Sequence, residues 1–157
     1  MKLSNRLMAS GAAGIALATS AIYVAAPGHA ATTIKVTEKN VTSGFSDAAP
    51  TGFSVGDTAS FYSTLTNTSD GTAAGYDTVH CVVERVLSAA SQSGVLQCFA
   101  TVRLQSGTLS VQGNLWQNNT SSRLAVTGGT GAYEGAKGNV VVPPGDSETT
   151  KLTITLQ

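Results

Sequence analysis

Two polar residues near the start of the chain could do chemistry because they stand on the apolar side of a predicted strand. Over residues 33–40 the side chains alternate, so that Ile34, Val36, Glu38 and Asn40 share one face. A carboxylate is costly to bury without partners, and in a dry cavity it stabilises positive charge far better than in water. The alternative is that the strand has ended by Glu38, which would then lie at a solvated rim.

Other motifs with catalytic spacing are weaker. The segment Gly52–Gly56 (GFSVG) fits the G-x-S-x-G pattern of a hydrolase nucleophile elbow, but no helix follows it, so we expect a loop. The segment Gly129–Gly131 likewise lacks the following helix that a phosphate cradle needs. His80 is the one histidine beyond residue 30, and a lone histidine without a free cysteine indicates no metal site. We expect no metal and no cofactor.

The two cysteines, Cys81 and Cys98, fall on two predicted strands, 76–87 and 95–104, joined by a turn at 88–94. A hairpin folded about this turn places residue 81 opposite residue 98, within the range of a disulfide. We therefore expect an intrachain disulfide across the hairpin. Two buried free thiols are the alternative.

Residues 1–30 have the features of a secretory signal peptide. Lys2 and Arg6 precede an apolar stretch from Met8 to Ala26, and small residues lead to a predicted cleavage after Ala30. A retained membrane anchor is the alternative. The signal predicts an exported, extracellular protein that leaves the membrane on cleavage, with residues 31–157 forming one domain.

The charge balance excludes two classes of partner. Of nine basic residues in the whole chain, two lie in the predicted signal, while the acidic residues number nine. The small negative excess that cleavage would leave is too weak and too evenly spread to indicate binding to nucleic acid or to an anionic membrane.

Beyond residue 30 the hydrophobic pattern has a period of two, and no amphipathic helical stripe occurs. The longest irregular stretch, Val41 to Thr58, is expected to be a loop that covers a mouth or carries function. Eight short strands in one domain favour an all-β barrel or sandwich. The predicted strands are 33–40, 59–67, 76–87, 95–104, 107–117, 122–128, 138–142 and 150–157.

The glycine-rich segment 125–138 must turn tightly or approach a neighbouring strand closely. It resembles the signature of the allene oxide cyclase and dirigent protein superfamily, as does Leu109–Gly113 followed by Ala125–Gly129. Val55-Gly56-Asp57 before the second predicted strand is also similar. The match covers most of residues 33–142 and is strongest at 107–140. It implies an eight-stranded antiparallel β-barrel, and the export signal and cysteine pair resemble the bacterial secreted branch.

In allene oxide cyclases a fatty-acid-derived epoxide enters an apolar lumen, where a Glu faces the developing cation while an Asn and a Ser hold a water on the epoxide oxygen. The resemblance implies that Glu38 and Asn40 match the Glu-x-Asn pair and that Ser46 matches the Ser, although Asp47 follows it where the family has Pro. Cys81 matches a cysteine that lines the cavity. The aromatic candidates for substrate contact, whose faces the sequence does not assign, are Phe61, Tyr62, Tyr76, Phe99 and Trp116.

The resemblance therefore implies a barrel that binds a hydrophobic small molecule and templates an intramolecular cyclisation of isomerase type, or a stereoselective coupling. Dirigent proteins form no bond themselves and orient phenoxyl radicals made by a separate oxidase, so a dirigent-like role implies such a partner. The family also implies a homo-oligomer, a dimer or a trimer. The alternative is a non-catalytic carrier of lipophilic ligands, or an extracellular interaction barrel whose interior is filled by side chains.

Overall fold

The described part of the chain is built from β-strands joined by turns and loops. The computed structural model describes residues 31–117, 120–144 and 148–157. The predicted signal segment 1–30 and several predicted turn residues, Asn118, Asn119, Gly145 and Asp146, lie outside the described residues. No helix in the described ranges has the length and apolar character needed to cross a bilayer.

Eight antiparallel strands follow one another around a closed barrel, and the last pairs with the first. This confirms the predicted all-β fold and the eight-stranded barrel. Closure leaves no unpaired sheet edge along most of the wall. The strands are β1 (Thr32–Ser46), β2 (Thr58–Asn67), β3 (Ala73–Ser88), β4 (Ser93–Leu104), β5 (Gly107–Trp116), β6 (Ser122–Gly131), β7 (Gly138–Val142) and β8 (Thr149–Leu156).

The first strand is longer than predicted. The expectation of a loop from residue 41 is wrong for its first part, because β1 continues to Ser46 along β2. A bulge between Asn40 and Thr42 leaves Val41 out of the pairing. One extra residue reverses which side chains face inward, so Ser43 and Phe45 follow Glu38 and Asn40 on the interior side.

The predicted hairpin and disulfide are confirmed. Cys81 pairs with Cys98 in the register of β3 and β4, their Cα atoms are 4.1 Å apart, and the two sulfurs are bonded. Both residues are buried. Cys98 shares the inward face of β4 with Leu96, Val102 and Leu104, which also belong to the core. The bridge therefore ties two neighbouring strands from inside the barrel wall.

Inward-facing aliphatic side chains from all eight strands form one core. Its fully buried members include Val36, Leu65, Leu109 and Ile154. Side chains that are buried from water stabilise the fold by about 1.5–3 kcal/mol each for residues of this size. The core runs along the barrel, from Leu104 near the end where β1 begins to Val83 and Leu96 near the end where β1 finishes.

The glycine-rich segment meets the predicted requirement for close approach. Gly131 has a φ of +64°, and a Cβ there would lie 2.6 Å from the carbonyl oxygen of Ser106. Gly138 opens β7 with a φ of +152°, and a Cβ there would collide with the carbonyl oxygen of Thr155 on β8. Only glycine combines this backbone conformation with so short a distance between strands. Barrel closure at β7 and β8 therefore depends on Gly138.

Replacing Gly138 by alanine should lower the free energy of unfolding by at least about 2 kcal/mol, because the added methyl group is strained by its φ angle and meets the β8 backbone. Urea denaturation followed by circular dichroism measures this loss. Gly128→Ala is the matched control, since a Cβ at Gly128 has no neighbour within 4 Å. Equal stability of the two variants would contradict this account of closure.

Candidate functional site

Glu38 lies on the interior side of the barrel wall. It pairs in register with Leu65 of β2 and Thr150 of β8, and the strand continues well beyond it. Its Oε1 atom accepts a hydrogen bond from the hydroxyl of Ser63, with an oxygen–oxygen distance of 3.0 Å. The side chain is half-buried. Glu38 is thus held beside the core rather than at the solvated end of a strand.

A second carboxyl group, which the sequence analysis did not single out, lies close to the first. Asp77 of β3 pairs in register with Ser63 and is only 2% exposed. Its Oδ1 atom has no hydrogen-bond partner among the described residues. The sequence could have predicted the inward position of Asp77, because alternation puts it on the same face of β3 as Val79, Cys81 and Val83. Glu38, Ser63 and Asp77 form what we call the acid cluster.

Burial changes the protonation of both acids. Desolvation raises the pKa of Glu38 above its usual 4.5, and the hydrogen bond from Ser63 opposes this rise. Desolvation, then repulsion from the Glu38 carboxylate, raises the pKa of Asp77 from its usual 3.8 to about 7, against the opposing effect of Ser63. The cluster therefore holds, near neutral pH, a proton that an exposed aspartate would have lost. Such a pair can offer one acceptor and one donor in the same place.

The bulge separates the residues that the resemblance grouped with Glu38. Asn40 keeps the interior side, but it is exposed because the pairing with β8 ends at Lys39 and Thr149. Ser46 lies beyond the bulge and pairs with Thr58, on the outward-facing register. The structure therefore brings Ser63, not Ser46, to Glu38.

A cavity of about 410 Å³ opens at the end of the barrel where β1 finishes. Aromatic and aliphatic side chains dominate its lining, among them Phe45, Phe53, Phe61, Val83 and Leu96. This volume lies within the range of small-molecule pockets, roughly 300–1,000 Å³. Phe61 is one of the lining residues, and it lies two residues before Ser63 on the same face of β2. None of the three residues of the acid cluster lines the mouth cavity itself.

One wall of the mouth cavity is a loop tied down by a buried aspartate. The Asp57 carboxylate accepts hydrogen bonds from the backbone N–H groups of Ala48 and Ser54, both at 2.8 Å. These bonds lower the pKa of Asp57. The Ser54 hydroxyl also donates to the Asp57 carboxylate at 3.1 Å. Ser54 is thus the structural centre of a loop, as expected, and the loop carries Phe53 to the cavity.

Four of the five aromatic candidates face away from the interior. Tyr62, Tyr76, Phe99 and Trp116 are between 40% and 51% exposed, and only Phe61 alternates inward. Tyr62 and Phe99 line a groove of about 720 Å³ with other exposed residues that face outward by alternation, such as Thr78 and Thr101. This outer groove is larger than the mouth cavity, and no acidic residue lines either of them. A binding role for these four residues would therefore belong to the outer surface.

The described residues contain no group of three or more His, Cys, Asp or Glu side chains that could hold a metal ion. His80 faces outward and its Nδ1 atom lies 3.1 Å from the hydroxyl of Ser60. The polar side chains that line the mouth cavity are Ser43, Gln92 and Gln117, so it offers a hydroxyl group and two amides among apolar walls.

The family model of the allene oxide cyclase barrel-like domain matches residues 34–155. The chain therefore belongs to this family, as its glycine-rich segment and strand order indicate. Among curated proteins no significant match was found.

Solved structures with the same fold carry out varied reactions on small molecules, according to their names. Pyocyanin demethylase is 26% identical, with a TM-score of 0.71 over 80% of this chain and 100% of its own. A pterocarpan synthase dirigent protein is 17% identical, with a TM-score of 0.65 over 81% of this chain and 94% of its own. An exo-specific intermolecular Diels-Alderase is 14% identical, with a TM-score of 0.64 over 82% and 98%. The last two likenesses show the fold alone.

The raised pKa of Asp77 makes folding pH-dependent. Because the folded protein binds this proton more tightly than the unfolded chain, Asp77 stabilises the fold fully below about pH 4 and loses that contribution as the pH rises through about 7. Asp77→Asn removes the effect. We take the free energy of unfolding of the variant minus that of the natural protein. This difference should be about 2–3 kcal/mol larger at pH 8 than at pH 5, because only the natural protein loses stability as Asp77 ionises.

Urea titrations of both proteins at the two pH values measure this difference. Glu84→Gln is the control, because Glu84 is exposed on the same strand. An Asp77→Asn variant whose relative stability is the same at both pH values would show that Asp77 is not held protonated by the fold.

Proposed function

We infer that the protein binds a hydrophobic small molecule at the mouth of the barrel and templates its cyclisation or its stereoselective coupling. The observation that carries this proposal is the Glu38 carboxylate, which accepts a hydrogen bond from Ser63 on the interior side of β1, the side on which Ser43 and Phe45 line the apolar cavity. A fixed negative charge away from bulk water stabilises positive charge that develops in a transition state, because it needs no reorganisation when the reaction occurs.

In the proposed reaction Glu38 faces the part of the substrate that becomes electron-poor. Asn40, on the same side of β1 and more exposed, would polarise a leaving or epoxide oxygen. Phe45, Phe53 and Phe61 would hold the apolar body in a folded conformation, so that the reacting atoms meet without the entropy cost of an encounter in solution. Ser46 has no place in this proposal because its register faces outward.

The comparisons support small-molecule chemistry in a barrel of this kind. Pyocyanin demethylase, the more similar of the enzymes described above, is named for a reaction on one small molecule. The Diels-Alderase is named for an exo-specific intermolecular reaction, and the dirigent protein for the synthesis of a pterocarpan. The varied names also mean that fold alone does not select a reaction, so the acid cluster carries the proposal.

Several expectations about the setting remain part of the proposal. Cleavage after Ala30 and export are consistent with the disulfide, since such bonds persist in oxidising compartments. If the role is dirigent-like, a separate oxidase would supply the radicals. A homo-oligomer, a dimer or a trimer, would use the outer groove, where Tyr62 and Phe99 are exposed.

A non-catalytic carrier is the second candidate, and one observation favours it. Aliphatic side chains pack into one core inside the barrel, and neither Glu38 nor Asp77 is among the residues that line the mouth cavity. A carrier would need only the apolar mouth, and the acid cluster would then serve the fold or the choice of ligand.

Native mass spectrometry of the protein recovered from its culture medium should identify a retained hydrophobic compound. With that compound, Glu38→Gln should lower turnover by about a hundredfold or more while its affinity stays within a few fold, because the amide keeps the shape and loses the charge. Glu84→Gln, an exposed change of the same kind, should leave both quantities unchanged. Full turnover in the Glu38 variant refutes the catalytic role, and uptake without turnover in the natural protein favours the carrier.

A further inference from the structure

Gln92 has a backbone conformation that its residue type disfavours. Its φ is +48°, and it is the one residue other than glycine with a positive φ in the described ranges. Its N–H group donates to the carbonyl oxygen of Ala89 at 3.2 Å, so it closes the turn that leads into β4 at Ser93. Glycine is usual at such a position, because a side chain with a Cβ is strained there. Strained residues cluster at ligand-binding sites, so the surroundings of Gln92 bear on its role.

Gln92 lines the mouth cavity, and a second glutamine of the lining lies close to it. The N–H group of Gln117 donates to the carbonyl oxygen of Gly94 at 2.9 Å, which holds the end of β5 next to the turn that carries Gln92. Phe53 reaches the same place, because a Cβ at Gly94 would lie 3.1 Å from its ring. Two glutamines and one aromatic ring therefore lie around Gly94 on the β4–β5 side of the mouth.

The two amide groups are available to a ligand. Within the described ranges neither the Gln92 nor the Gln117 side chain is hydrogen-bonded to another residue. Both residues are exposed, so they can reach a ligand from the rim of the cavity. Each amide carries N–H donors and a carbonyl acceptor. No Asp, Glu, Lys, Arg or His lines the mouth cavity, so it offers hydrogen bonds but no opposite charge for an ionised ligand.

We propose that Gln92, with Gln117 beside it, is a specificity-determining residue whose amide hydrogen-bonds to an uncharged hydroxyl or carbonyl group of the ligand at the rim of the mouth. The inference rests on the proposed function and narrows its substrate class to neutral, largely apolar molecules that carry such a group. The apolar body packs against the aromatic lining, and the amide serves either group because it holds both a donor and an acceptor. This role also explains a glutamine where glycine would be less strained, because functional sites often reduce stability.

Two fluorescent probes, 2-naphthol and 2-methylnaphthalene, share one ring system and differ by a hydroxyl group in place of a methyl group. Gln92→Met keeps the length of the side chain and removes its hydrogen-bonding groups. It should weaken the binding of 2-naphthol about fivefold and leave that of 2-methylnaphthalene within about twofold, because only the hydroxyl group loses a partner. Titration of each probe with the protein, followed by the fluorescence of the probe, measures both dissociation constants.

Gln92→Gly separates ligand binding from the stability of the turn. It should weaken 2-naphthol as Gln92→Met does, yet raise the thermal midpoint of unfolding by about 2 °C or more, because glycine adopts this φ without strain. Gln92→Met keeps the strained Cβ and should leave the midpoint within about 1 °C. Gln97→Met is the control, since Gln97 alternates outward on β4 and lines neither the mouth cavity nor the outer groove. Its affinities for both probes should equal those of the natural protein.

The outcomes separate this inference from the proposed function. Unchanged binding of 2-naphthol in the Gln92 variants overturns the role of Gln92 and leaves the hydrophobic mouth in place. Equal losses for the two probes also overturn it, because Gln92 would then shape the cavity rather than bind the hydroxyl group. A midpoint that does not rise in Gln92→Gly contradicts the strain on which the inference rests. If neither probe binds the natural protein, the inference fails together with the hydrophobic-ligand part of the proposed function. Gln92→Met decides the binding role even if Gln92→Gly fails to fold.

Discussion

Two carboxyl groups share one buried serine hydroxyl inside this barrel, and the proposed catalytic role follows from that arrangement. Ser63 donates to Glu38, so Asp77 is left with an oxygen that no described residue satisfies. Ionisation of Asp77 would cost the desolvation of a buried charge, and repulsion from the Glu38 carboxylate would add to that cost. The fold avoids that cost by keeping a proton on Asp77 toward neutral pH. One acid then remains an acceptor of positive charge while the other becomes a donor.

Two features of the barrel surround this cluster. Close approach between neighbouring strands closes the wall, and a bulge in β1 shapes the mouth. Gly138 lets β7 approach β8, and the disulfide between Cys81 and Cys98 ties the longest hairpin. β1 continues beyond its pairing with β8. The bulge at Val41 reverses which side chains of β1 face inward, so Ser43 and Phe45 face the cavity. The glycine contact and the disulfide hold the strands of the barrel together. The bulge gives the end of β1 the register that turns apolar side chains toward the mouth cavity.

The sequence predicted the fold well because alternation, turn residues and the cysteine spacing are local signals that agree with one another. The eight strands, the barrel and the disulfide all followed from them and from the family resemblance. The bulge did not, since one unpaired residue leaves no compositional trace in a run of Thr, Ser and Gly. Because the bulge was not predicted, the predicted first strand ended too early, and the direction in which the Ser46 side chain points was not assigned. Tyr62, Tyr76, Phe99 and Trp116 were apolar enough for an interior, but their register places them outside. Alternation along β3 could have predicted that Asp77 faces inward. Its position near Glu38 follows only from the pairing of both strands with β2.

The direct measurement of the central claim is a carbon-13 NMR titration of the side-chain carboxyl groups. If Asp77 keeps its proton near neutral pH, its carboxyl group titrates with a midpoint near 7, and the midpoint falls in Glu38→Gln because the charge that repels its ionisation has been removed. A midpoint near the ordinary 3.8 in the natural protein, or one that does not move in the variant, would contradict the account.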